Sequence, residues 1–353
     1  MLTLHDYLRL LPKAELHCHF VSTMRVSTLV ELARTHDVAL KTDDLDVLLD
    51  YEGLPDFLDV FNAAHRALTT GDEIARVAYE GVEDAVRDGN LRYREYFVNP
   101  DNFAPFGIDY PSLIDAMTDG LVQAERDFGV GFRIIAAINR SLPPQSAVAL
   151  VETVLAHPRD AVVGIGQDDL TPEFTEDPLR FRDAYELAAR AGLRRTAHAG
   201  ETMNASPQNV LDAIEGLGVE RVDHGYRVVD DPEALDAVAA TGIPFTCTPH
   251  STDMLSSWEF TPEHRIAKMI RAGLPVSLAT DDAVFFKTDI GLEYTAALPA
   301  MGFGAADAAR IARTGFEIAW CDDDEKQRRL SEVDGTIAAL TAALAADAAT
   351  PAT

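Results

Sequence analysis

The sequence predicts an α/β protein folded as one (β/α)8 TIM barrel, on three observations. Eight short apolar runs alternate with longer segments of helical periodicity. Several helical segments end at a glycine, Gly192, Gly242 and Gly273 among them, which suits a left-handed C-terminal cap before the next strand. The residues with metal-binding and acid–base chemistry fall at the C-terminal ends of the apolar runs, where such barrels place their sites.

Taken in order, strand one is expected over residues 14–20, inside Pro12-Lys13-Ala14-Glu15-Leu16-His17-Cys18-His19-Phe20. Side chains alternate across a strand, so His17 and His19 share a face. A helix follows at 25–35, and residues 37–70 read as a helical insertion after strand one. At the catalytic end of a barrel such an insertion is placed to act as a lid. Phe57, Leu58 and Phe61 have helical spacing there, suited to core packing or to substrate stacking. The remaining strands are expected at 91–98, 132–138, 161–167, 193–199, 221–226, 244–249 and 275–280. Helices are expected between them at 71–88, 112–128, 145–156, 179–191, 207–216, 233–241 and 263–272. A helical extension ends the chain, and residues 1–353 form a single domain in this reading.

A chain of 353 residues that is 47% hydrophobic can bury a large core. Its net charge of −28 and pI near 4.6 argue against nucleic-acid binding, since nothing would neutralise phosphates. The acidity fits a solvated surface, or a salt-rich host. No stretch reaches the roughly twenty apolar residues of a membrane span, so no membrane partner is expected. Cys18, Cys247 and Cys321 are few, scattered and odd in number, which fits a reducing, cytoplasmic setting.

His17 and His19 close strand one, and His198, in His198-Ala199-Gly200-Glu201, closes strand five. His224, in Asp223-His224-Gly225, closes strand six, and Asp281 and Asp282 close strand eight. Three imidazoles and a carboxylate make an ordinary donor set for Zn²⁺, one ion per chain. His17, His19, His198 and Asp281 are the expected ligands. His224 then stands beside the site as a base or electrostatic orienter, and Glu201 as a proton carrier.

The segments Pro12 to His19, His198-Ala199-Gly200-Glu201, Asp223-His224-Gly225 and Ser277-Leu278-Ala279-Thr280-Asp281-Asp282 together resemble the adenosine deaminase family of the amidohydrolase superfamily. The resemblance implies a zinc barrel that hydrolyses the 6-amino group of a small-molecule purine to an oxo group and releases ammonia. It places the zinc ligands on His17, His19, His198 and Asp281, and the donor to purine N1 on Glu201. The water-orienting histidine falls on His224 and the carboxylate contacting N7 on Asp282. The cytidine-deaminase-like arrangement of His-x-Glu with Pro-Cys-x-x-Cys is absent.

The chain departs from that pattern where substrate is chosen. The family's Leu-Asp-Gly-Ser after the second histidine is replaced by Phe20-Val21-Ser22-Thr23, and Val21 cannot accept a hydroxyl hydrogen bond. Its Gly-x-Asp-Leu-x-Gly-x-Glu after strand four is replaced by Gly164-Ile165-Gly166-Gln167-Asp168-Asp169-Leu170-Thr171. An ungapped reading puts Asp169 where the family's glycine approaches purine N3. Its Cys-Pro-Thr-Ser-Asn has become Cys247-Thr248-Pro249-His250-Ser251-Thr252. Val21, Asp168, Asp169, His250 and Asp282 are therefore the expected substrate-binding positions, His250 being either a pocket residue or part of a loop. The expected function is zinc-dependent deamination of a 6-aminopurine nucleoside modified relative to adenosine. Adenine deaminase, 6-aminodeoxyfutalosine deaminase and a non-catalytic purine-binding relative are the alternatives.

Overall fold

The computed structural model describes residues 1–348; the last residues of the expected domain, 349–353, lie outside the described residues. Eight strands follow the chain in order: β1 (Lys13–His19), β2 (Leu91–Val98), β3 (Gly131–Asn139), β4 (Val162–Asp168), β5 (Arg194–Ala199), β6 (Arg221–His224), β7 (Phe245–Cys247) and β8 (Val276–Leu278). Each pairs in parallel with the next. The barrel is nearly closed, and β1 meets the segment after β8 through His19 N to Asp281 O at 2.8 Å and Asp281 N to His17 O at 3.1 Å. Closure therefore falls on the residues expected to carry the chemistry.

Strands covered on both faces read as continuous apolar runs, which is why the expected strands were visible. The structure trims three of them. β6 stops at His224 because His224 and Gly225 both take left-handed backbone, φ 72° and 79°, and a 3-10 turn follows at Tyr226–Asp230. β7 stops at Cys247, and Pro249 opens the helix Pro249–Ser256, which periodicity did not mark. β8 gives way before Asp281, itself left-handed at φ 64°.

Helix Leu4–Leu10, also unexpected, starts with a capping box between Thr3 and Asp6. Buried Lys13 donates from Nζ to its Leu8, Arg9 and Leu11 carbonyls at 2.9, 3.1 and 2.8 Å, tying it to the start of β1. Inside the inserted segment, helix Leu54–Ala67 lays Phe57 against Phe286 at 4.9 Å between ring centres. Phe286 lies just beyond Asp282, so this helix sits over the β8 end of the barrel. Beyond β8, helices Ala305–Glu317 and Asp323–Ala348 continue the chain.

Helices Gly71–Gly89 and Tyr110–Phe128 pack closely at Gly120, where a Cβ would lie 2.1 Å from the Ala75 carbonyl oxygen. Backbone cannot yield there as a side chain would. Gly120→Ala is expected to cost about 1–3 kcal/mol of stability by overpacking, read as a lower urea midpoint with activity retained below the transition.

Candidate active site

A register shift between Glu15 and Cys18 in the β1–β2 pairing spans His17 and comes just before His19. Bulges of this kind re-aim side chains beside active sites. His17 Nε2 is 3.0 Å and His19 Nε2 3.2 Å from His198 Nε2, contributed by β5. Asp281 Oδ1 is 3.2 Å from His17 Nε2 and 3.1 Å from His19 Nε2. Ligands about 2.0–2.1 Å from a tetrahedral zinc ion stand roughly 3.3 Å apart, close to all four separations. Each neutral imidazole nitrogen has either one proton or one lone pair, so several facing one another cannot all be satisfied mutually. A shared cation satisfies them together, and the donor set fits zinc.

His224 adds a fifth donor: ligand atoms of His17, His198, His224 and Asp281 all lie within 4.8 Å of one another. Its Nδ1 is engaged by the Tyr226 hydroxyl at 3.1 Å, and its Nε2 has no hydrogen-bond partner among the described residues. That Nε2 faces Glu201 Oε2 at 3.6 Å. Burial first, then the neighbouring His17, pushes the His224 pKa well down, so the ring is neutral.

Asp223 organises the layer behind these ligands, a role that sequence reading did not assign to it. Thr196 and Thr246 hydroxyls each donate to its carboxylate at 2.7 Å, and His198 Nδ1 and His17 Nδ1 lie 3.4 and 4.0 Å from it. Burial favours the protonated form, but hydrogen bonding to His198 and the charge of neighbouring groups outweigh it and hold the pKa below the usual range. Ser251 Oγ donates to Asp281 Oδ2 at 2.7 Å from the helix after β7. Partners that orient metal ligands are typically worth about 10- to 100-fold in affinity. Asp223→Asn is accordingly expected to weaken zinc binding by about that factor, measured by competition with a chelator.

Glu201 follows Gly200, whose φ of 68° and close neighbour Val210, 2.5 Å from a would-be Cβ, exclude larger residues. Burial, then Asp281 and Glu176, push the Glu201 carboxyl pKa well above the ordinary value, which favours its protonated form. Asp282 accepts a short hydrogen bond from Ser22 Oγ, and burial is the main cause that raises it to about 7.

The other expected substrate positions scatter. Asp168 is buried, accepts from Asn99 Nδ2 at 2.6 Å and lies 3.5 Å from His19 Nδ1, so it backs the His19 imidazole. Asp169 is left-handed at φ 63°, and its side chain accepts from the Leu170 amide at 2.7 Å. Val21, 3% exposed in the turn Phe20–Thr23, belongs to the main apolar core. His250 Nδ1 lies 2.9 Å from Glu293 Oε2, with Phe260 edge-on at 5.0 Å. Arg140, also unassigned from sequence, is fully buried and donates to the His198, Asp168 and Asp169 carbonyls at 2.8, 3.0 and 2.5 Å, binding the ends of β4 and β5 together.

Residues 12–336 match the family described as adenosine deaminase. An adenine deaminase of Cupriavidus metallidurans is 32% identical over 334 residues, 94% of this chain and 93% of that protein. A zinc-bound amidohydrolase structure from Burkholderia ambifaria is 34% identical with a TM-score of 0.87, covering 97% of this chain and 94% of that one. The adenine deaminase structure of Arthrobacter aurescens is 28% identical with a TM-score of 0.85, covering 92% and 98%. The match runs from the strand bearing His17 past Asp282, over a barrel whose imidazoles already converge as zinc requires, and the chain belongs to the adenosine deaminase family of zinc-dependent aminohydrolases.

Proposed function

We propose that this protein deaminates adenine, consuming water and releasing hypoxanthine and ammonia. Val21 carries the reading. It stands where the family's adenosine-type pattern has a sugar-holding acid, yet it is buried in the core and offers no acceptor to a ribose hydroxyl. The groups that act on the purine's 6-amino side are all present. Relatives named adenine deaminase support the same substrate and move it ahead of a modified nucleoside.

In this reading His17, His19, His198 and Asp281 hold the ion. Zinc bound there supplies Lewis acidity, which makes water a usable nucleophile at neutral pH. Addition at C6 breaks the ring's aromaticity, and Glu201, protonated because it is buried, donates to N1 so that the electrons have somewhere to go. Neutral His224, with Nε2 unpartnered, accepts one proton from the attacking water and passes it to the departing amine, while the proton released from O6 as the oxo group forms restores Glu201. Asp282 holds N7. Helix Leu54–Ala67 serves as the lid that keeps bulk water from the mouth.

A panel of adenine, adenosine, AMP and 5′-substituted adenosines, followed by ultraviolet absorbance and ammonia release, tests this. Adenine is expected to exceed adenosine in kcat/KM by at least about tenfold, a difference of only about 1.4 kcal/mol in transition-state binding. A nucleoside or nucleotide turned over faster than adenine overturns the assignment.

A further inference from the structure

The connection after β4 folds back on itself, with Thr171 N donating to Thr175 O at 2.9 Å and Phe174 N to Thr171 O at 2.8 Å. That turn delivers Glu176, 2% exposed, to the turn after β5. Its Oε2 accepts from Gly200 N at 2.6 Å, and its Oε1 accepts from Glu201 N at 2.8 Å and Thr202 N at 3.1 Å. Three consecutive amides thus converge on one carboxylate, the backbone arrangement that binds anions. No lysine, arginine or histidine forms an ion pair with Glu176 among the described residues. Apart from a longer contact from Thr202 Oγ1 at 3.5 Å, the Glu176 carboxyl is held by these backbone N–H groups.

The middle residue of that clamp is Glu201. Its backbone is fixed by a side chain from a different loop, and its own carboxyl projects from the clamped turn toward His224. We propose that Glu176 is a positioning residue for this reaction, setting the direction in which Glu201 presents its proton to the purine. The proposal rests on Glu201 being the donor. A glutamine at 176 has one carbonyl oxygen and turns an NH2 group toward backbone N–H groups, so at least one of the three bonds is lost. A displacement of about 1 Å at a reacting group is enough to cost about 100-fold in rate.

A double-mutant cycle on the zinc-loaded protein tests this, using the 6-aminopurine that the wild type turns over fastest. E176Q is expected to lower kcat by about tenfold or more, with KM within about twofold and one zinc retained per chain. In the E201Q background the same change should alter the residual rate by less than about twofold, because the group it positions no longer donates. Should E176Q not fold, E176D enters the same cycle, keeping the charge while shortening its reach. An equal fold-loss in both backgrounds, or an unchanged kcat in E176Q, overturns the proposal. Near-normal turnover in E201Q alone instead defeats the reading of Glu201 as donor, so the two failures are separable.

Discussion

Glu201→Gln is expected to lower turnover by about 10²- to 10⁴-fold, the range typical of a lost general acid, while zinc content and melting temperature stay near wild type. The side chain keeps its shape, so packing is preserved. What disappears is the transferable proton. Burial, then the nearby Asp281 and Glu176, favour the protonated form of the native carboxyl, and a carboxamide can still hydrogen-bond to N1 but cannot give up a proton to it. The loss should therefore appear in kcat, with KM changed little. Turnover within about twofold of wild type would assign the donor elsewhere.

His198→Ala is expected to remove zinc and activity together. Its Nε2 is the shared neighbour of His17 Nε2 and His19 Nε2, at 3.0 and 3.2 Å, so its loss opens the centre of the cage. The effect on metal affinity should exceed the about 10- to 100-fold expected for Asp223→Asn, which disturbs the ligands only from behind. His224→Ala is the control that separates the two possible donor sets. Its Nδ1 is held by Tyr226 and its Nε2 faces Glu201, so zinc is expected to stay while the rate falls. Elemental analysis of protein purified without chelator decides the matter: a His224 variant lacking zinc, beside a His19→Ala variant that retains it, would exchange their roles.

Val21 shows how tertiary context changes the use of a sequence observation. Read as a sequence, Val21→Asp looks like a way to restore a sugar contact. At 3% exposure within the core, an aspartate there would be a buried, unpaired carboxylate. Its expected result is loss of stability, so it is unsuitable as a specificity switch.

The barrel, the order of its strands and the residues at their C-terminal ends were legible because each depends on local periodicity. A buried strand needs an apolar run, a helix needs a 3.6-residue pattern, and ligands at the strand ends stay next to those runs in the chain. Where backbone geometry departs from these periods, the sequence was silent. The left-handed residues His224 and Asp281 trimmed β6 and β8, and a proline-led turn became the helix Pro249–Ser256.

The sequence by itself determined the fold class and picked out the histidines and aspartate that the structure brings together at the strand ends, since motif spacing and strand alternation are properties of short segments. Only the tertiary structure decided what holds those residues in place. Asp223 reaches His17 across 206 positions of chain, and Glu176 meets Gly200, Glu201 and Thr202 from another loop. Such contacts are made by side chains whose loops have no period, and they exist only once barrel closure has brought distant strand ends together. For the same reason Asp168 was read from the sequence as a substrate-binding position, and its place behind His19 came only from the structure.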